Sequence, residues 1–306
     1  MVADASGLLL VDKPAGWTSH DVVARTRKIA GTRKVGHAGT LDPMATGLLV
    51  IGFNKATRLL TYIVDTTKTY RASIRLGHTT TTDDADGEIV HTRFANAVTP
   101  ADIQRAVAAL TGVIQQVPSS VSAIKIDGKR AYQRVREGED VDIPAREVTI
   151  HRFEVEHIKR ADDGKTIDID VEVECTPGTY IRALARDMGE DLNTGGYLTA
   201  LRRTAVGPYT VDDATTLEQL AQDFQYTDIS EAAEKLFPVR AVSLTQAQDL
   251  IHGRRIEPTG DSQLYAAQAP NGQLIALITD VERAGNIEAK PDIVFATLDD
   301  LPGASS

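Results

Sequence analysis

The chain has a single cysteine, Cys175, in 306 residues. A lone thiol excludes an intramolecular disulfide and any cysteine metal cluster. Aromatic residues are scarce at 5%, with one tryptophan, Trp17. Long apolar runs are missing as well: Leu8 to Val11 is cut off after four residues by Asp12 and Lys13. Nothing approaches the roughly 20 apolar residues that a membrane-spanning helix needs, and no secretory h-region precedes the first polar residues. A cytoplasmic protein with no membrane association is the expectation. What is present is ordinary for a globular chain, 42% hydrophobic and 25% charged. The length allows one large or two unequal domains with a substantial core.

Positive charge is also in short supply, since the net charge is −10. Taken alone that argues against a nucleic-acid partner. The distribution argues differently. Residues 1–75 hold eleven basic side chains against five acidic ones, a local charge of +6 that leaves −16 for the rest. A second basic run, Lys125 to Arg136, carries Lys125, Lys129, Arg130, Arg134 and Arg136 against Asp127 alone. Two basic islands in an acidic chain suit a polyanion bound on one face, because phosphate attraction is screened within about 8 Å at physiological salt. A solvated basic helix face would produce the same pattern.

The stretch around which the chain is organised runs from Gly36 to Gly52, GHAGTLDPMATGLLVIG. It sets one acid, Asp42, among glycines and small residues, ahead of an apolar run. Pro43 pushes the backbone of Asp42 toward an extended shape and out of any helix. Leu48 to Ile51 reads as a buried strand. A carboxylate on a stiff loop at the mouth of a strand suits chemistry on a bound molecule. An Asp-Pro by itself reads first as an Asx-turn, in which the side chain bonds its own backbone.

Along the chain, Gly7 to Asp12 reads as a strand. Thr18 and Asp21 have capping-box spacing for a helix stopped by Gly31. Lys55 to Tyr62 reads as a short amphipathic helix. Lys68 to Leu76 alternates as a strand, with Tyr70, Ala72, Ile74 and Leu76 on one face. That pattern makes Tyr70 a half-buried core residue or the wall of a pocket. The polar loop Gly77 to Gly87 superficially resembles a calcium loop. Aligning Asp84 and Asp86 as ligands leaves Arg93 where a bidentate glutamate belongs, so metal binding is rejected there. Thr99 and Asp102 open a helix through Leu110. Val121 to Arg136 reads as a hairpin turning at Asp127-Gly128 and leading to a short helix. Glu147 to Glu156 and Thr166 to Cys175 read as strands. Tyr180 to Leu192 reads as a helix with Arg182 and Arg186 one turn apart on one face. Leu198 to Thr210 reads as a strand. Near Phe237-Pro238 the character changes, and a small second domain is expected, with a helix at Thr245 to Ile251 and strands near Leu274 to Val281 and Ile293 to Leu298.

Several motifs together resemble one family, the bacterial tRNA pseudouridine-55 synthases of the TruB type. They are Leu8 to Pro14 (LLLVDKP), Gly36 to Gly47 (GHAGTLDPMATG), Lys68 to Arg71 (KTYR), Leu76-Gly77, Asp84 to Gly87 (DADG), Gly178 to Arg182 (GTYIR) and Leu201 to Arg203 (LRR). They come in family order over about residues 7–220. Two departures stand out: Thr81 where an acid is common, and Thr176-Pro177 where a polar-basic pair is usual.

The resemblance implies an α+β fold. It has a mixed, largely antiparallel sheet of the pseudouridine synthase type with flanking helices, over residues 1–237. A basic thumb-like insertion falls at about 117–145, and a small β-rich PUA-like RNA-binding domain fills 238–306. It implies an isomerase that converts the uridine at position 55 in the T-loop of tRNA to pseudouridine, after flipping the base from its stack at a cost of a few kcal/mol. By resemblance Asp42 is the catalytic aspartate, acting at the ribose, at the pyrimidine or as a base in a glycal route. Tyr70 stacks on the flipped base, Arg182 pairs with the carboxylate and aims it, and Asp84 braces that arginine. His37 contacts the rearranged loop, Tyr180 and Leu201 line the uracil pocket, and Lys13 with Pro14 forms a segment beneath it. The implied partner is the T-arm of tRNA, bound by a monomer. No metal or organic cofactor is implied; the seven histidines lack metal-binding spacing and no glycine-rich nucleotide loop follows a strand. Two alternatives remain. One is a silent tRNA-binding or RNA-folding protein on the same scaffold. The other is a glycoside hydrolase, which needs two carboxylates about 5 to 9.5 Å apart where the central motif supplies one.

Overall fold

The computed structural model describes residues 5–119, 125–126, 129–130, 143–283 and 285–301. The first strand, β1 (Gly7–Lys13), runs into a turn and then α1 (Ser19–Ala30). Thr18 caps α1 through a reciprocal box with Asp21, and the helix ends at Gly31. β2 (Val35–His37) and β3 (Thr46–Phe53) flank the central loop. The helix expected at Lys55 to Tyr62 is split into a 3-10 turn over Asn54–Arg58 and α2 (Leu60–Val64). There follow β4 (Lys68–Leu76), the small hairpin β5 (His78–Thr80) and β6 (Ile89–Thr92), α3 (Pro100–Ala109) and β7 (Gly112–Gln116).

Within the basic segment, β8 (Lys125–Ile126) pairs antiparallel with β9 (Lys129–Arg130). The Asp127-Gly128 turn, the helix expected after it and most of the thumb-like insertion lie outside the described residues. The long strands β10 (Arg146–Arg160) and β11 (Ile167–Cys175) lead to α4 (Ile181–Asp191) and β12 (Gly196–Val206). β13 (Tyr209–Thr210), α5 (Leu217–Gln222), β14 (Thr227–Asp228) and α6 (Ile229–Leu236) complete the larger unit.

These strands form one sheet in the order β14-β1-β3-β12-β4-β11-β10-β7, with β2 added to β3 and β13 to β12. Every pairing in it is antiparallel except β3 with β12, which run parallel through Arg202↔Thr46 and Arg203↔Gly47. That parallel contact is tight. Gly47 has φ +97, and a Cβ there would sit 2.3 Å from Arg203 O, so only glycine lets the two strands meet. The strand β4 alternates as its sequence does, with Lys68, Tyr70, Ala72, Ile74 and Leu76 buried. Tyr70, Ala72, Ile74 and Leu76 pack beneath α3 and α4 with Ile103, Ala106, Leu184 and Met188.

After Pro238 a second, four-stranded sheet forms from β15 (Val239–Ala241), β16 (Tyr265–Gln268), β17 (Leu274–Arg283) and β18 (Asn286–Val294), with α7 (Leu244–Ile251) against it. The last strand therefore ends at Val294, where Ile293 to Leu298 was expected. The backbone of Phe295 and Ala296 donates to Ile275 O, and a 3-10 turn takes Leu298–Asp300. The two sheets share an apolar layer, in which Leu8, Leu48 and Val50 meet Ala266, Leu277 and Phe295. Arg58 fixes the seam: its guanidinium lies 4.7 Å from the Phe295 ring centroid and donates to Val294 O at 2.7 Å.

Candidate active site

The loop between β2 and β3 is tied down from both sides, which is what makes its acid useful. The Leu41 amide donates to Ser19 Oγ at 2.9 Å, and the Gly16 amide donates to Pro43 O at 2.8 Å. Lys13, fully buried, reaches behind the loop and donates to Trp17 O, Pro14 O and Pro43 O. Burial pushes its ammonium down to about 8, against the pull of the nearby Asp42 charge. Backbone closes the turn itself, with Ala45 N donating to Asp42 O at 3.1 Å. Among the described residues no backbone N–H donates to the Asp42 carboxylate, so the Asx-turn reading fails. That carboxylate is 38% exposed and faces a cavity of about 340 Å³.

Opposite Asp42 stands the start of α4. The Gln116 side chain pins Tyr180 there, accepting from its N–H at 2.8 Å and donating to its carbonyl at 3.1 Å. Arg182, the second residue of the helix, then projects toward the loop. Its Nε lies 3.1 Å from Asp42 Oδ2 and its Nη1 lies 3.4 Å from Asp84 Oδ2. Nη1 also donates to Thr82 O at 2.9 Å. The side chains of Arg182 and Asp84 are only 5% and 6% exposed. Asp84 is in turn held by the Thr82 hydroxyl and by the Asp86 amide at 3.1 Å. The arrangement is a carboxylate–guanidinium–carboxylate chain whose one accessible end is Asp42.

Tyr70 and Leu201, both buried, line the same cavity with Tyr180. Burial pushes the Tyr70 phenol above its ordinary value, and the adjacent Arg203 guanidinium pulls it partly back. The hydroxyl therefore stays protonated at neutral pH. At the mouth, the Arg146 guanidinium lies 4.7 Å from the Tyr180 ring centroid and donates to Gly178 O. Asp42, Tyr70, Tyr180, Arg182 and Leu201 are thus brought together around one hollow. Two sequence-derived candidates are not on its wall. Lys13 lies behind the loop, and His37 lies at the end of β2, its ring edge-on to His20 at 5.7 Å. Burial, above all, lowers the His37 imidazole.

Three cations on the wall were passed over in the sequence, Arg146, Lys68 and Arg203. Lys68 was findable: it sits two residues before Tyr70, hence on the same face of β4. Arg203 was not, because its position depends on the parallel pairing of β12 with β3.

Comparison with known proteins bears on the whole chain. Residues 27–181 match the family model described as TruB family pseudouridylate synthase, N-terminal domain. Residues 182–244 match that of the tRNA pseudouridylate synthase B C-terminal domain, and 237–296 that of tRNA pseudouridine synthase II, C-terminal. A protein named tRNA pseudouridine synthase B from Arthrobacter sp. (strain FB24) is 60% identical over 97% of this chain and 99% of its own. One of the same name from Thermobifida fusca (strain YX) is 55% identical over 95% and 99%. Among solved structures, a Cbf5-Nop10-Gar1 complex contains a chain that matches with a TM-score of 0.72 and 25% identity, over 96% of this chain and 86% of that one. With a family model over half its length and relatives this similar end to end, the chain belongs to the TruB family of pseudouridylate synthases.

Proposed function

We propose that this chain isomerises uridine to pseudouridine in tRNA, at position 55 of the T-loop, with Asp42 as the essential carboxylate. The observation that carries the reading is the Asp42–Arg182 pair, 3.1 Å apart, at the edge of a cavity walled by Tyr70, Tyr180 and Leu201. The names of the similar proteins give the tRNA substrate. A base inside a folded loop has to leave its stack to reach such a hollow, at a cost of a few kcal/mol. In this reading the Tyr70 ring stacks on it, and Tyr180 and Leu201 bracket it.

Three routes are open to the carboxylate: bonding ribose C1′, bonding pyrimidine C6, or taking the C2′ proton. Each moves an electron pair onto the pyrimidine ring. The C1′–N1 bond is broken, C5 bonds C1′, the C5 proton leaves and N1 takes one up. The sum is an isomerisation, with no oxidant or reductant consumed. In this reading residues 1–237 form the catalytic domain and 238–306 a PUA-like RNA-binding domain, and the chain works as a monomer in the cytoplasm. Lys13 braces the loop that carries Asp42 from behind, and His37, at the end of β2, contacts the rearranged T-loop near the vacated stack.

The test is to map pseudouridine in a T-arm stem-loop transcript after incubation with the purified wild type and with Asp42→Asn. Product at the position-55 equivalent with the wild type alone supports the reading. Binding without product from the wild type would favour an RNA-folding protein on this scaffold, and release of free uracil would point to a hydrolase.

A further inference from the structure

The cavity lining carries one carboxylate, Asp42, but four cations: Arg146, Arg182, Lys68 and Arg203. Arg146 lies at the mouth over a tyrosine ring, and Arg182 is matched by two carboxylates. The other two lie together at the buried end. Gly39, with φ +88, is the floor between them: a Cβ there would lie 3.4 Å from Arg203 Nη1 and 3.6 Å from Lys68 Cε. Arg203 is 1% exposed and gives two of its five N–H groups to backbone carbonyls, Leu48 O at 2.8 Å and Gly39 O at 3.0 Å. Lys68 gives two of its three protons to Val64 O at 2.7 Å and Thr66 O at 2.6 Å. Among the described residues neither makes an ion pair. Carbonyls orient these groups without neutralising them, and in a dry interior an unneutralised charge acts strongly on what lies beside it.

Resting on the function proposed above, we infer that Lys68 and Arg203 stabilise the negative charge that develops on the uracil ring when Asp42 reacts. In all three routes that charge is delocalised onto the ring carbonyl oxygens, so the inference does not depend on which bond forms first. Preorganised donors aimed where charge develops, in a site closed to water, are the most effective kind of catalytic electrostatics. An RNA phosphate is the wrong partner, since it stays with the backbone at the mouth while the base enters the buried end. Lys68 and Arg203 are then catalytic residues, touching the ring itself.

The groups facing Lys68 define its titration. They are Arg203 from β12, Cys175 from β11 and Asp65 after α2. Burial first, then Arg203, push the Lys68 ammonium down to about 8, while Cys175 is pushed up to about 11. The decisive measurement is the single-turnover rate of pseudouridine formation on a T-arm stem-loop across pH 6.5 to 9.5, with wild type, Lys68→Met and Lys68→Arg. The expected results are a Lys68→Met rate at pH 7 at least about tenfold down, stem-loop affinity within about threefold of wild type, and a wild-type rate that falls as pH passes about 8. Lys68→Arg, always charged, should lose that fall whatever its absolute rate. A Lys68→Met enzyme at the wild-type rate, or a loss confined to affinity, overturns the inference. So does an alkaline fall that persists in Lys68→Arg, which would assign it to Lys13. If Lys68→Met unfolds, the pH comparison of wild type with Lys68→Arg decides alone. A wild type that forms no pseudouridine is a different failure, of the function itself.

Discussion

Arg182 and Arg203 reach one cavity from different elements and are held in opposite ways. Arg182, on α4, lies against Asp42 and Asp84, so its charge is answered twice within 3.4 Å. Arg203, on β12, is more deeply buried and is held by the carbonyls of Leu48 and Gly39. A guanidinium between carboxylates is a positioning device: it fixes where the acid points and leaves little field over. One held by carbonyls keeps its field, which any group entering the cavity feels. The site is therefore polarised, with an aimed acid at one end and unanswered positive charge at the other.

The sharpest way to break this comparison is to neutralise the acid. Asp42→Asn keeps the loop geometry, because the loop is tied by backbone bonds and by the Ser19 and Lys13 side chains, none of which uses the Asp42 carboxylate. Its single-turnover rate should fall by at least about 10³-fold while tRNA affinity moves by less than about threefold. Tyr70→Phe comes next. The ring remains to stack, but the buried, protonated hydroxyl is lost, and a fall of about 10²-fold in rate is expected with affinity unchanged.

Much of the paired end was legible in the sequence. The alternation of β4 and the capping boxes at Thr18 and Thr99 are local signals, and local physics settled them, whereas the meeting of Asp42 with Arg182 was implied by the family resemblance alone. The positive end was hidden. Its two cations are 135 positions apart, joined by the antiparallel partnership of β4 with β12 and the parallel one of β12 with β3. Neither partnership has a short-range signature, and a parallel contact between distant strands has the least. The second sheet was half-read for a related reason. β15 has three residues and β16 four, too short for alternation to register, and β18 is interrupted by Pro291 before it ends at Val294.

Stability distinguishes the two arginines as well. Arg182→Met strips the partner from Asp84, whose side chain is almost inaccessible, and should cost about 3–5 kcal/mol in urea unfolding. Gly39→Ala presses a methyl group toward both unpaired cations and forces φ +88 on alanine. A loss of about 1 kcal/mol is expected, with a clear drop in rate.

The smallest effect is one of pH. Lys13 and Lys68 both titrate at about 8 in the folded chain, against an ordinary value of 10.5. Between these values the unfolded chain binds more protons than the folded one, so stability should rise with pH over that window. Lys13→Met and Lys68→Met should each flatten the rise, as read from urea midpoints at pH 8 and pH 10.

One cycle tests most directly whether Asp42 and Arg182 work as a unit. Single-turnover rates of Asp42→Asn, Arg182→Met and the double variant are measured on the same T-arm stem-loop. If Arg182 serves to aim the carboxylate, its loss adds nothing once that carboxylate is gone, and the double variant should be about as slow as Asp42→Asn. Losses that multiply, with the double variant slower by the full product of the single effects, would contradict the account.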